Sequence, residues 1–195
     1  LAVAMLFQWF GMFAYWQYIA FALGRSLFAT ADAGSASFRQ AVLLTGQADA
    51  LYNFVAFLAA FAMMPIVRGI GAKPVHAGAM LLAGLAMLSL SMVTGKAGLV
   101  PAMIGIGIGW ASLMGNPYVM LAGAVPPERT GVYMGIFNMF IVVPMMIETL
   151  VMPIIYRPLL GGDPRNVLVL SGAMMLMAAI GTLRVREGET GARPA

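Results

Sequence analysis

Residues Gly109 to Met146 read GWASLMGNPYVMLAGAVPPERTGVYMGIFNMFIVVPMM, two apolar runs joined by Pro126-Pro127-Glu128-Arg129. The first run reaches back to about Leu99 and carries Trp110, Asn116, Pro117 and Tyr118. The second continues to about Tyr156 and carries Asn138, Pro144 and Glu148. Each is longer than the roughly 20 residues that a helix needs to cross a bilayer. A link this short makes the two helices antiparallel neighbours. Prolines, amides and a carboxyl at membrane depth are costly unless they face protein or a wet cavity. The pair therefore reads as the wall of a pathway.

The remainder of the chain belongs to the same class. Of 195 residues, 62% are hydrophobic and 9% are charged, against about 25% charged in a soluble domain. Mean hydropathy is +0.91. A soluble core of this size has nowhere to hide that much apolar surface, which makes the chain an all-α membrane protein. The formal charge of +4 is spread over short links without a basic cluster, so nucleic acid is not indicated as a partner. Cysteine is absent, which removes a disulfide framework, a thiol nucleophile and a Cys metal site. With His76 as the single histidine, an imidazole metal site and a Ser–His hydrolase are both unsupported. The sequence opens at Leu1 inside an apolar run, without a basic lead-in or a clear cleavage site. We expect it to be a fragment of a longer chain.

Apolar runs separated by polar links predict six transmembrane helices over 1–23, 41–67, 74–93, 99–125, 130–156 and 166–183, with a polar tail over 186–195. Residues 26–40 read as a loop. Placing the links at 68–73 and 126–129 and the tail on the cytoplasmic side collects Arg68, Lys73, Arg129, Arg184, Arg186 and Arg193 there. The opposite side holds Arg25, Arg39, Lys96, Arg157 and Arg165. The expected location is the cell (inner or plasma) membrane, with a cytoplasmic C-terminus.

Several residues carry candidate chemistry. In the first span Gln8, Met12, Tyr15 and Ile19 share one helical stripe, and Trp9, Phe13, Trp16 and Ala20 the next. Asp49 and Asn53 share a face of the second span, and Asn138, Met145 and Glu148 a stripe of the fifth. Asp49 and Glu148 are the acids inside spans, hence functional candidates. Polar stripes on three helices suggest one shared cavity. Amides that donate and accept, beside aromatic faces, suit the hydroxyls and C–H faces of a sugar. Gly105 with Gly109, and Gly131 with Gly135, read as small-residue helix contacts. His76 reads as interfacial, at the start of its helix.

The segment Gly131-Val-Tyr-Met-Gly-Ile-Phe-Asn138-Met-Phe-Ile-Val-Val-Pro144 resembles the eleventh helix of sucrose- and maltose-type symporters. These form the glycoside-pentoside-hexuronide branch of the major facilitator superfamily. Asn116-Pro117-Tyr118 with Leu121-Ala-Gly-Ala-Val-Pro126 is similar to their tenth helix and its link. Leu51-Tyr52-Asn53 resembles their eighth helix, Phe7 to Tyr18 their seventh, and Arg68, Gly71 and Lys73 a degenerate form of the superfamily's cytoplasmic loop motif. Met145 stands where the family commonly has Gln.

The resemblance implies the C-terminal six-helix half of a twelve-helix transporter, built of two inverted three-helix repeats and completed by an N-terminal half. It implies uptake of a glycoside or disaccharide by alternating access, coupled to protons or less often to sodium, with no cofactor and no enzymatic step. Gln8, Asn53, Asn116 and Asn138 would contact the sugar, Trp9, Trp16 and Tyr118 would shape the cavity, and Asp49 or Glu148 would join proton coupling. Two alternatives stay open: transport of another small solute, and a non-transporting sensor or accessory subunit on the same half-fold.

Overall fold

The computed structural model describes residues 1–185; the tail expected over 186–195, with Arg186 and Arg193, lies outside the described residues. The described residues form six α-helices: α1 (Ala2–Phe28), α2 (Ala36–Ile70), α3 (Ala72–Leu90), α4 (Leu99–Ala122), α5 (Thr130–Ile155) and α6 (Pro164–Leu183). Single 3-10 turns precede α4 and α5, and no strand is present among the described residues.

The helices lie over the six expected spans, and the first link differs most. The loop expected over 26–40 contracts to 29–35. Ala29 ends α1 in the left-handed region at φ 48°, and Ser35 starts α2 by accepting the Phe38 N–H at 3.1 Å. Local capping outweighs polar composition here, so residues 36–40 are helix. The α2–α3 link is one residue, Gly71 at φ 88°, a conformation that costs other residues more. Arg68 closes α2 and Lys73 opens α3 on either side of it.

Five helices, α2 to α6, are long and apolar enough to cross a membrane. α1 has the length, at 27 residues, but its amides, indoles and phenols lower its hydropathy. Its position accounts for that composition. α1 packs against α2, α5 and α6, so its polar groups meet protein.

Packing follows a repeated scheme. α3 lies against α4 and α6, α6 against α1, and α2 and α5 flank the bundle on α4 and α1 respectively. Burial reaches 17% in the α2 and α5 spans and 50% in those of α3 and α4, so α2 and α5 are the outer pair. Exchanging α1–α3 with α4–α6 turns α1–α6 into α4–α3 and α2–α4 into α5–α1, and returns α3–α6 to itself.

The α3–α6 crossing repeats this exchange atom by atom. A Cβ built on Gly84 would meet Leu176 at 2.8 Å and the Gly172 carbonyl at 3.0 Å. One built on Gly172 would meet Leu88 at 2.7 Å and the Gly84 carbonyl at 2.8 Å. Buried Ala79, Met80, Ala83, Gly84, Met87 and Leu90 of α3 recur at the same spacing as Val167, Leu168, Ser171, Gly172, Met175 and Ala178 of α6. Gly11 abuts α6 at Ser171 as Gly109 abuts α3 at Ala83.

Two expectations are corrected. α4 and α5 are not neighbours along their length. They meet near their link, where Tyr118 packs edge-on against Phe137 at 5.0 Å, and α5 leans on α1 instead. The cause is the buried stripe of α5, Phe137, Pro144, Glu148 and Met152, whose later members face α1. The second correction concerns glycine. Gly105 and Gly109 do pack closely, on Ala86 and Ala83 of α3, but a Cβ on Gly131 or Gly135 meets nothing within 4 Å. Those two lie on the outward side of a flanking helix.

Gly109→Leu should push α3 and α4 apart, costing about 1–3 kcal/mol as overpacking does, whereas Gly135→Leu should leave stability unchanged. Thermal unfolding of both variants in detergent checks this, and equal melting temperatures would contradict the contact.

Candidate functional site

An aromatic cluster occupies the middle of α1, α2 and α4. Trp110 of α4 meets Trp9 and Trp16 of α1 edge-on, with ring centres 6.1 and 5.3 Å apart. The Trp16 indole N–H donates to the Tyr52 hydroxyl of α2 at 3.2 Å. Tyr15 meets the Tyr52 ring edge-on at 6.5 Å, and its hydroxyl lies beside Asp49 and makes a long contact with Met103 Sδ at 3.8 Å. Tyr15, Trp16, Tyr52 and Trp110 each fall near the midpoint of their helix.

Two polar atoms of this cluster are buried without a partner: the Trp9 indole N–H and Asp49 Oδ1. Such an atom costs about 1–3 kcal/mol when left unpaired. An indole N–H can only donate and an ionised carboxyl oxygen can only accept. A hydroxyl group serves both.

Toward the Arg68 end lies a second constellation, a chain of hydrogen bonds across α1, α3 and α4. Asn116 Nδ2 donates to Ser112 Oγ at 2.7 Å, and Ser112 Oγ lies 2.9 Å from His76 Nδ1. His76 Nε2 lies 2.9 Å from Gln8 Oε1, and Gln8 Nε2 donates to Met5 Sδ at 2.9 Å. Because Gln8 Oε1 can only accept, the bonding pattern assigns the His76 proton to Nε2. Nδ1 then accepts from Ser112, and the neutral imidazole is fully satisfied. Gln8, His76 and Ser112 are fully buried. Ser112 and His76 stand at nucleophile–base distance, and each already has its partners within the chain of bonds, which ties α1, α3 and α4 together as a clamp. The expected interfacial position of His76 is therefore corrected. His76, Met80, Ala83 and Met87 follow the helical spacing of the inner face of α3.

A third constellation joins α1 to α5. Glu148 is fully buried, Gln17 Nε2 donates to its Oε2 at 2.8 Å, and its Oε1 has no partner. Tyr18 lies nearby.

The remaining expected residues spread over the bundle. Asn53 is exposed, with Nδ2 donating to the Asp49 backbone carbonyl at 2.8 Å. The Tyr118 hydroxyl donates to Asn138 Oδ1 at 3.1 Å near the α4–α5 link. Arg68, Gly71 and Lys73 form the α2–α3 turn. The single cavity expected from three polar stripes is thus divided. Trp9, Trp16 and Asp49 share the aromatic cluster; Gln8 and Asn116 are committed to the buried chain. Asn138 and Glu148 stand about 15 Å apart along α5, at 1.5 Å per residue, and serve different neighbours. Tyr15, Gln17, Tyr52, His76, Trp110 and Ser112 take part without having been singled out as site residues. Pairing between helices brings them in, and that is not written in the spacing along one helix.

Gln8→Leu should destabilise the bundle by about 1–3 kcal/mol by orphaning the His76 N–H. Adding His76→Phe should restore part of that loss. Detergent melting curves for both single variants and the double variant check the coupling; strictly additive losses would contradict it. No family model, curated protein or solved structure matches the chain.

Proposed function

We propose that the chain is one half of a secondary active transporter of the major facilitator type, carrying a glycoside or disaccharide. Substrate binds at the midplane cluster of α1, α2 and α4. The observation that carries this reading is the pair of unpaired buried atoms, Trp9 Nε1 and Asp49 Oδ1, flanking edge-on indoles and phenols. A sugar supplies hydroxyls to both atoms and C–H faces to the rings. The exchange of helix pairings between α1–α3 and α4–α6 supports the inverted-repeat architecture, since three crossings reverse the direction of the second triplet.

In this reading a second six-helix half covers the exposed apolar sides of α2 and α5, among them Phe54, Phe57, Phe61, Val142 and Leu150. Glu148 and Asp49 are the proton-coupling groups. Glu148 is the more enclosed, and it contacts α1 on a side adjacent to Trp16, so one helix joins acid and substrate. The Arg68–Lys73 turn is cytoplasmic, in the cell membrane, as is the C-terminus.

The chain has three tryptophans, and all three stand in the cluster. Intrinsic fluorescence therefore reads the proposed site directly. Titration with maltose or sucrose should change tryptophan emission saturably, and Asp49→Asn should weaken the apparent affinity about tenfold, as loss of a hydrogen bond to a charged group does. A flat response to both sugars from folded protein would withdraw the sugar assignment.

A further inference from the structure

We propose that the groove where α2 and α4 separate, toward Arg68, binds an anionic phospholipid with a hydroxylated head group, of the phosphatidylglycerol type. The groove encloses about 290 Å³. Met63, Met64 and Val67 of α2 and Val119 of α4 form its apolar walls, and Arg68 and Asn116 supply its polar groups. It is separate from the aromatic cluster and does not depend on the transport reading.

Arg68 is exposed in the last turn of α2 and has no acidic partner, since the one ion pair among the described residues joins Arg165 to Asp163. A free guanidinium presents a planar fork of donors that matches phosphate oxygens. Asn116 gives one Nδ2 hydrogen to Ser112, so it can offer the groove its acceptor Oδ1 and a second N–H. The chain through Ser112 and His76 holds Asn116 in place before any ligand arrives. A cation beside an amide favours a ligand that has anionic oxygens, a net negative charge and a hydroxyl, which can donate to Oδ1 or accept from the N–H. A phosphoglycerol head group has all three; a phosphocholine head group has no hydroxyl and no net charge.

The walls and the location supply the rest of the argument. Methionine and valine side chains suit an acyl chain, which a soluble sugar phosphate does not have. The groove lies at the end of α2 and near the end of α4, where a head group sits when these helices cross a bilayer. Arg68 takes the phosphate at the surface, Asn116 takes a glycerol hydroxyl, and the chain descends between α2 and α4.

Native mass spectrometry of the whole chain in detergent, titrated with phosphatidylglycerol, phosphatidylcholine or inorganic phosphate, tests the site. The expected result is retention of phosphatidylglycerol over phosphatidylcholine. Arg68→Gln should weaken it about five- to tenfold, the scale of one basic contact. Val119→Trp, which fills the groove and leaves Arg68, should do the same, while Arg157→Gln at the opposite end should change nothing. Arg68, Val119 and Arg157 are exposed, so these variants keep the packing, and thermal unfolding in detergent verifies the fold. Equal retention of phosphatidylcholine would overturn the proposal, as would unaltered binding by either groove variant. Inorganic phosphate that displaces the lipid at Arg68 as readily as a second lipid does would reassign the site to a soluble anion.

Discussion

Gly84 and Gly172 set the distance at which α3 and α6 cross, and the rest of the bundle is placed from that crossing. Each glycine faces the other's carbonyl and a leucine of the opposite helix, so neither tolerates a Cβ without displacement. Lipid gives helices no hydrophobic reason to associate, and close backbone approach is what remains. α4 then docks on α3 through Gly105 and Gly109, and α1 on α6 through Gly11. α1 and α4 are thereby held with the indoles of Trp9, Trp16 and Trp110 between them. α2 and α5 are left on the outside, with most of their apolar surface uncovered.

This frame explains why polar groups gather where they do. α1 has protein on three sides and can carry Gln8, Trp9, Trp16 and Gln17 at little cost, with Gln8 turned toward α3, Trp9 and Trp16 toward α4, and Gln17 toward α5. Gln8 is used structurally, in a chain that satisfies both ring nitrogens of His76. Trp9 and Asp49 are not satisfied, nor is one oxygen of Glu148. These atoms, with Ser171 Oγ of α6, differ from the bonded chain in pairing and not in height, since Trp9 directly follows Gln8 in α1. His76 marks where the internal symmetry fails. Its counterpart on α6 is Pro164, which starts a helix and binds nothing comparable.

Class, helix number and approximate helix limits were legible in the sequence, because length and apolar content decide them. The inner stripe of α1 was legible too, since Gln8, Met12, Tyr15 and Ile19 are all buried. The loop around Asp32 was read too long, because composition conceals the Ser35 cap. The partner of α5 was misread because a tight link constrains only the ends that it joins. His76 was read from its nearness to a helix end, although its spacing to Met80 and Ala83 already placed it inward. The grouping of Trp9, Trp16, Trp110 and Tyr52 needed the fold, since they come from three helices with no sequence relation among them.

The central claim, a sugar moved by proton coupling, is tested most directly by uptake of labelled maltose and sucrose into vesicles. The vesicles would carry the chain together with the proposed second half, with and without an inward proton gradient. Accumulation that collapses when a protonophore is added is the expected result. No accumulation of either sugar under any gradient, by protein whose fold is intact, would contradict it.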